Sequence, residues 1–250
     1  MGIDDIIKLV GVMGGGVMGG GIAQTFAAHG FTTIIRDLNA DLIEKTRASM
    51  VEGRFGLNGA VERGKMTKAE YDATVARFSF TENVNDLRNC DLIVEAVPEN
   101  LELKKSVWSE LDGLVKAAAI FATNTSGFAI SDVNKAVSRR DRFIGFHWFS
   151  PAFIMKPVEI IYAPEKSEET IATIEAVGKE LDKVTIRVKD APGKYGFVAN
   201  RIYFAMVAEA RKVLDEGIAS AGDIDTVMKL GFNWPVGPLG MTKGARGGWQ

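Results

Sequence analysis

The sequence predicts an α/β fold: a sheet domain over residues 1–190 followed by a small all-helical domain over residues 191–250. Three observations lead there. Short β-rich runs alternate with amphipathic helical stretches up to residue 190; residues 191–196, with one Pro and two Gly, interrupt the pattern; and no β-rich run follows. The balance of 30 basic and 32 acidic side chains leaves a net charge of -2, so no global positive field draws the chain to nucleic acid or anionic lipid. Cys90 is the only cysteine, so no intrachain disulfide can form and a reducing, cytoplasmic setting is expected. The apolar, Gly-rich stretch 9–23 is too short to span a bilayer and follows Asp4 and Asp5, not a basic segment. Met1-Gly2 could suggest myristoylation, but Ile6 stands where Ser or Thr is required.

Residues 8–13 read as a strand that feeds directly into a glycine cluster. A helical pattern starts at Val17 and stops at His29-Gly30, and residues 32–36 are β-rich again, which makes a βαβ unit with a right-handed crossover. A helical stretch then runs over 41–63, and Thr67 with Glu70 forms a capping box that opens another. Residues 78–80 and 91–97 read as strands, 101–115 as an amphipathic helix, and 120–123 as a strand ending in Asn124-Thr125-Ser126. Two strands, 142–149 and 156–161, flank a turn at Pro151; a helix over 167–181 and a strand over 183–188 complete the sheet domain. Beyond it, 197–216 is one long helix and 224–230 a second, while 240–250, with four Gly, has no helical periodicity.

Seven glycines lie between Gly11 and Gly21, and a Gly in regular structure costs about 0.5–1 kcal/mol relative to Ala. Gly14-Gly15-Gly16-Val17-Met18-Gly19 fits G-x-G-x-x-G between a strand and a helix. Gly14 permits the tight turn, Gly16 lets the backbone approach a pyrophosphate, and Gly19 lets helix and strand pack closely. The amides of Val17 and Met18 then present a helix N-terminus to the anion. Asp37, 18 residues past Gly19, ends the second strand where a carboxylate accepts from a ribose 2'-hydroxyl. Dinucleotide binding is the expectation. A carboxylate repels a 2'-phosphate and so favours NAD, although Arg36 beside it is a residue type that accommodates one.

A nicotinamide enzyme that oxidises an alcohol needs a base for the hydroxyl proton, and the chain has two histidines. His29 ends a helix, where the dipole favours a cation. His147 sits in the apolar run Phe143-Ile-Gly-Phe-His-Trp-Phe149, where a satisfied core histidine is also a fitting account. Glu159, equally out of place in Val158-Glu-Ile-Ile161, would answer it across adjacent strands, fixing the imidazole tautomer and stabilising the imidazolium.

With Gly14–Gly19 and Asp37, four further runs extend the pattern: Asp91 to Asn100, Ala122 to Ser126, Gly145 to Pro151 and Met155 to Glu159. Together with Gly196-Phe-Val-Ala-Asn-Arg201, they resemble the L-3-hydroxyacyl-CoA dehydrogenase family in the family's order over about residues 8–239. The resemblance implies a Rossmann-type domain, NAD as cofactor, and interconversion of an L-3-hydroxyacyl-CoA with its 3-oxoacyl-CoA. It implies that His147 is the catalytic base, that Glu159 pairs with it, and that Ser126 and Asn200 hold the substrate oxygen. Glu99 and Lys104 then belong near the nicotinamide ribose, with Asn124 in the same loop; surface ion pairing is the bland account of Glu99 and Lys104. Arg63, Lys65 and Lys68 match a basic stretch for the CoA phosphates, and a solvated charge run explains them equally. No metal is implied. A free 3-hydroxy acid as substrate, or an NAD-binding relative without turnover, stay open.

Three features depart from the family. Ser150 stands where many relatives have Asn, which touches one cofactor contact. Extra residues separate Pro192-Gly193 from Phe197, which bears on Asn200. After Leu239 the family continues through further helices that help form a homodimer, so a shortened helical domain is expected here.

Overall fold

A computed structural model of the chain describes residues 3–165 and 167–246. Among these, eight strands form one sheet: β1 (Leu9–Met13), β2 (Thr32–Arg36), β3 (Phe78–Thr81), β4 (Leu92–Glu95), β5 (Ile120–Thr123), β6 (Phe143–Trp148), β7 (Pro157–Tyr162) and β8 (Val184–Lys189). Their order is β3-β2-β1-β4-β5-β6-β7-β8, and β1 to β6 run parallel. The β6–β7 pair is antiparallel and β7–β8 parallel, so the last two strands run against the rest. The 3-2-1-4-5-6 order reverses between β1 and β4, and in such sheets ligands bind at that point, outside the carboxyl ends of the strands.

Parallel strands need crossovers, which cover both sheet faces with helices. Burial at every position of β4, β5 and β6 is the result, and it explains their near-continuous apolar sequence. The helices of this part are α1 (Ile3–Ile6), α2 (Val17–Ala28), α3 (Ala40–Glu52), α4 (Leu57–Glu62), α5 (Lys68–Val75), α6 (Leu101–Leu114), α7 (Ile130–Val133) and α8 (Glu168–Glu180). Side-chain oxygens of Asn39, Asn100 and Ser167 accept from backbone N–H groups in the first turns of α3, α6 and α8, and Thr67 with Glu70 closes the full capping box of α5. Alternate residues of β6 face opposite ways. Trp148 meets Phe26 of α2 at 6.1 Å between ring centroids, whereas Phe143 meets Trp108 of α6 at 4.9 Å.

Two expectations are corrected. The helical stretch 41–63 is two helices, because α3 ends at Gly53, where a Cβ would collide with Ser49 O. The backbone turns at residues 53–56 before α4 resumes the apolar pattern that had masked the break. The tail after Leu239 is helical to residue 246: α11 (Pro238–Arg246) opens on a proline, and the Leu239 N–H donates to Asp225 Oδ1 at 2.8 Å. Proline suits the first helical position and a carboxylate there satisfies an orphan amide, so local chemistry outweighs the glycines. Residues 247–250 and Met1-Gly2 lie outside the described residues.

The chain forms two compact units, Met1–Lys194 and Tyr195–Gln250. The second contains α9 (Val198–Asp215), α10 (Ala221–Phe232) and α11. Ser220 caps α10 by accepting from Asp223 N, and Asn233 ends it in the left-handed region at φ 56°. Among the described residues no helix is long and apolar enough to cross a membrane.

Lys183, just before β8, is buried, and its Nζ donates to Ala152 O at 2.6 Å and Met155 O at 2.9 Å. Burial, reinforced by the Lys156 charge, pushes this ammonium down to about 8. Below that pH the group is protonated in both folded and unfolded chains. Between about pH 8 and about pH 10 the unfolded chain holds the proton more tightly, so this group's contribution to stability rises with pH. Urea unfolding at about pH 7 and about pH 9.5 should show the wild type gaining stability relative to Lys183→Met at the higher pH. Parallel changes in the two proteins would contradict this.

Candidate active site

The carboxyl ends of β1, β4, β5 and β6 lie along one sheet edge, and the chemistry collects there. After β1 the backbone turns through Gly14 at φ 93°, a conformation that L side chains rarely adopt. A Cβ on Gly19 would collide with Gly14 O, so only glycine allows α2 to start this close to the strand. At Gly16 an added Cβ would meet nothing within 4 Å, and no side chain caps the α2 N-terminus there. The helix thus presents the Val17 and Met18 backbone beside open space, as a pyrophosphate requires. Asp37 Oδ2 accepts from Gly15 N at 2.8 Å and Oδ1 from Leu38 N at 2.7 Å. Arg36 instead donates its Nε to Glu82 O at 3.3 Å. The turn and its carboxylate fit a dinucleotide.

At the end of β4, Lys104 of α6 is buried, 2.7 Å from Glu95 Oε1 and 3.3 Å from Glu99 Oε2. Its Nζ also donates to Val97 O at 3.2 Å. Surface ion pairing alone is therefore not what engages this lysine: its buried Nζ meets the buried Glu95 carboxylate and Val97 O as well as the exposed Glu99. Glu99 Oε1 accepts from Thr125 Oγ1 at 2.6 Å and from Ser126 N at 2.9 Å, which ties the residue 124–126 loop to the β4 end. Asn124 Oδ1 accepts from Trp148 N at 2.9 Å, so the same loop also grips the backbone next to His147. Glu95 escaped the sequence reading. Its signal, one carboxylate in the apolar run Leu92-Ile-Val-Glu95, is the same signal that singled out Glu159.

The β6–β7 register sets His147 directly opposite Glu159. Directly opposed residues on antiparallel strands share a face. His147 Nδ1 and Glu159 Oε2 are 2.8 Å apart, and both side chains are about 95% buried. A carboxylate on Nδ1 selects the tautomer in which Nε2 exchanges the proton, and it compensates the charge of an imidazolium. His29 has a local partner instead, with Nδ1 2.8 Å from Thr25 O at the end of α2. Cys90 is buried, and desolvation, with the Asp91 charge adding to it, pushes its thiol up to about 12, which leaves it inert.

Asn200 lies in the first turn of α9, in the second unit. Arg63, Lys65 and Lys68 are exposed around the α4–α5 connection. Lys68 is ion-paired with Asp72 and lies 4.8 Å from the Tyr71 ring centroid.

Sheet order, glycine turn and ribose carboxylate define a dinucleotide-binding protein, and the buried His–Glu pair on the same edge suits an oxidoreductase. Comparison with known families narrows this. The model described as "3-hydroxyacyl-CoA dehydrogenase, NAD binding domain" matches residues 9–191, and "3-hydroxyacyl-CoA dehydrogenase, C-terminal domain" matches residues 196–245. A 3-hydroxybutyryl-CoA dehydrogenase of Clostridioides difficile is 38% identical over 230 residues, 92% of this chain and 80% of the relative. The mitochondrial hydroxyacyl-coenzyme A dehydrogenase of Rattus norvegicus is 37% identical over 94% of this chain and 74% of its own length. The crystal structure of an (S)-3-hydroxybutyryl-CoA dehydrogenase from Ralstonia eutropha superposes with a TM-score of 0.88 at 39% identity, covering 93% of this chain and 80% of that one. The chain belongs to the 3-hydroxyacyl-CoA dehydrogenase family and is an NAD-dependent oxidoreductase of that family.

Gly19→Ala puts a methyl group against the Gly14 carbonyl and should raise the Kd for NADH at least about tenfold, or about 1.4 kcal/mol. Fluorescence titration with NADH checks this; unchanged affinity would contradict the packing described for the turn.

Proposed function

We propose that the chain interconverts an L-3-hydroxyacyl-CoA and the corresponding 3-oxoacyl-CoA, with His147 as general acid/base and Glu159 as its partner. The observation that carries this is the 2.8 Å contact between the two buried side chains at the carboxyl edge. NAD, when bound on the glycine turn, supplies the hydride acceptor or donor. His147 takes the C3 hydroxyl proton as the alcohol is oxidised and returns it to the oxygen in reduction. Glu159 keeps the imidazole oriented and balances its charge while it holds that proton.

The other assignments follow the family resemblance. Ser126 and Asn200 hold the substrate oxygen, and Asn124, whose Oδ1 also anchors its loop to β6, belongs to the cofactor-binding set. Glu99 stands at the cofactor ribose, while Lys104 acts through Glu99, since its own donors are engaged. For the CoA phosphates the assignment leans on Arg63 and Lys65. Residues 1–190 form the NAD-binding domain and 191–250 the helical one. Ile202, Phe204, Leu230 and Phe232 are exposed apolar residues of that helical part, which suits a homodimer there; mass in solution tests this. We propose a reducing, cytoplasmic setting, which the single, buried cysteine suits.

Purified protein should oxidise NADH with acetoacetyl-CoA, the substrate that the relatives' names suggest, and not with free acetoacetate. His147→Gln should lower kcat by about 100- to 10,000-fold while NADH binding is retained. Equal rates in the variant would remove His147 from the mechanism. Turnover of the free acid at the thioester's rate would overturn the CoA assignment, and tight NADH binding with no turnover across acyl chain lengths would mark a non-catalytic relative.

A further inference from the structure

Glu95 ends β4 with its side chain wholly buried, and no assignment above uses it. Both carboxylate oxygens are occupied. Oε1 accepts from Lys104 Nζ at 2.7 Å and from Val97 N at 2.8 Å, and Oε2 accepts from Thr123 Oγ1 at 2.7 Å. A carboxylate persists in a dry interior only when donors and an opposite charge surround it, and each of these groups comes from a different place around the strand end. Lys104, just as buried, bridges outward from Glu95 to Glu99, and Glu99 holds the Thr125 hydroxyl and the Ser126 amide. A continuous polar path thus runs from the buried end of β4 to the loop that carries Ser126.

The path has a direction. Two carboxylates flank one ammonium, and the deeper one is the nearer, at 2.7 Å against 3.3 Å. We infer that Glu95 is a positioning residue of the active site: by taking up the Lys104 charge, it leaves the Glu99 carboxylate in place to hold the Ser126 loop. Without the Glu95 charge, Glu99 is the remaining anion paired with Lys104 among the described residues and is drawn inward, away from the Ser126 amide. A role in folding alone would not require any effect at that loop. The consequence for turnover rests on the dehydrogenase reading proposed above; the consequence for the loop does not.

Glu95→Gln, Lys104→Met and the double variant, made in the full chain, test this by two readouts. Amide hydrogen exchange of the peptide spanning residues 124–128 should quicken about tenfold or more in Glu95→Gln, with β4 and β5 still protected. In NADH-coupled reduction of acetoacetyl-CoA, kcat should fall about 10- to 100-fold, the loss expected when a positioned group of a site is misplaced by about 1 Å, and KM for NADH should rise with it because Glu99 stands at the cofactor ribose. Because Glu95 acts through Lys104, the double variant should be no worse than Lys104→Met in either readout, and it also relieves the unpaired buried charge that Lys104→Met leaves on Glu95. An unchanged loop and rate in Glu95→Gln, or a double variant worse than Lys104→Met, overturns the inference. If Glu95→Gln alone does not fold, the comparison of Lys104→Met with the double variant, in which both charges are gone, still decides it. Should the wild type fail to turn over any acyl-CoA, the dehydrogenase reading fails, and hydrogen exchange still decides what Glu95 does to the loop.

Discussion

A charge taken out of water into the interior of a sheet must meet an opposite charge or a set of donors, at a cost of several kcal/mol if it does not. That constraint organises the carboxyl edge of this sheet. Glu95 and Glu99 enclose Lys104, Glu159 faces His147, and Asp37 takes the Gly15 amide. Asp190, at the end of β8, accepts from the Ile130 and Ser131 amides at 3.0 Å and 2.9 Å, tying the start of α7 to the far side of the sheet. Each pairing joins different elements of the fold. The polar groups of the site therefore also act as the staples that hold its loops.

The alternation that announced an α/β chain was legible because the strands are short, apolar and bounded by clear caps. The glycine turn was legible because its requirements are steric: a left-handed φ at Gly14 and no room for a Cβ at Gly19. The His147–Glu159 pair could be found because an ionisable residue in an apolar strand demands a partner, and the antiparallel register of β6 and β7 supplies it. What stayed hidden depends on three-dimensional neighbours. The break at Gly53 lay inside a continuing apolar pattern, and the cap that turns the tail into α11 comes from Asp225, on another helix.

Lys104 is instructive on this point. A match to cofactor-side residues suggested a group near solvent, yet Lys104, Trp108 and Leu111 recur at i, i+4 and i+7 on the buried face of α6. Helical periodicity alone puts the lysine in the core, and the core then asks which carboxylate receives it. Glu95, in the run Leu92-Ile-Val-Glu95, was the available answer. Two anomalies, one in a helix and one in a strand, explain each other only when read together.

Reversal of chain direction at β7 has a consequence for how the proton-transfer pair is assembled. His147 and Glu159 are 12 residues apart along the chain, whereas Glu95 and Thr123 are 28 apart. Closing the shorter loop costs less chain entropy, so ring and carboxylate meet as a product of local hairpin formation. The same locality makes the pair intolerant of error. A slip of one residue in the β6–β7 ladder would turn one partner to the opposite face of the sheet, so a single register decides whether the chain has an acid–base pair at all.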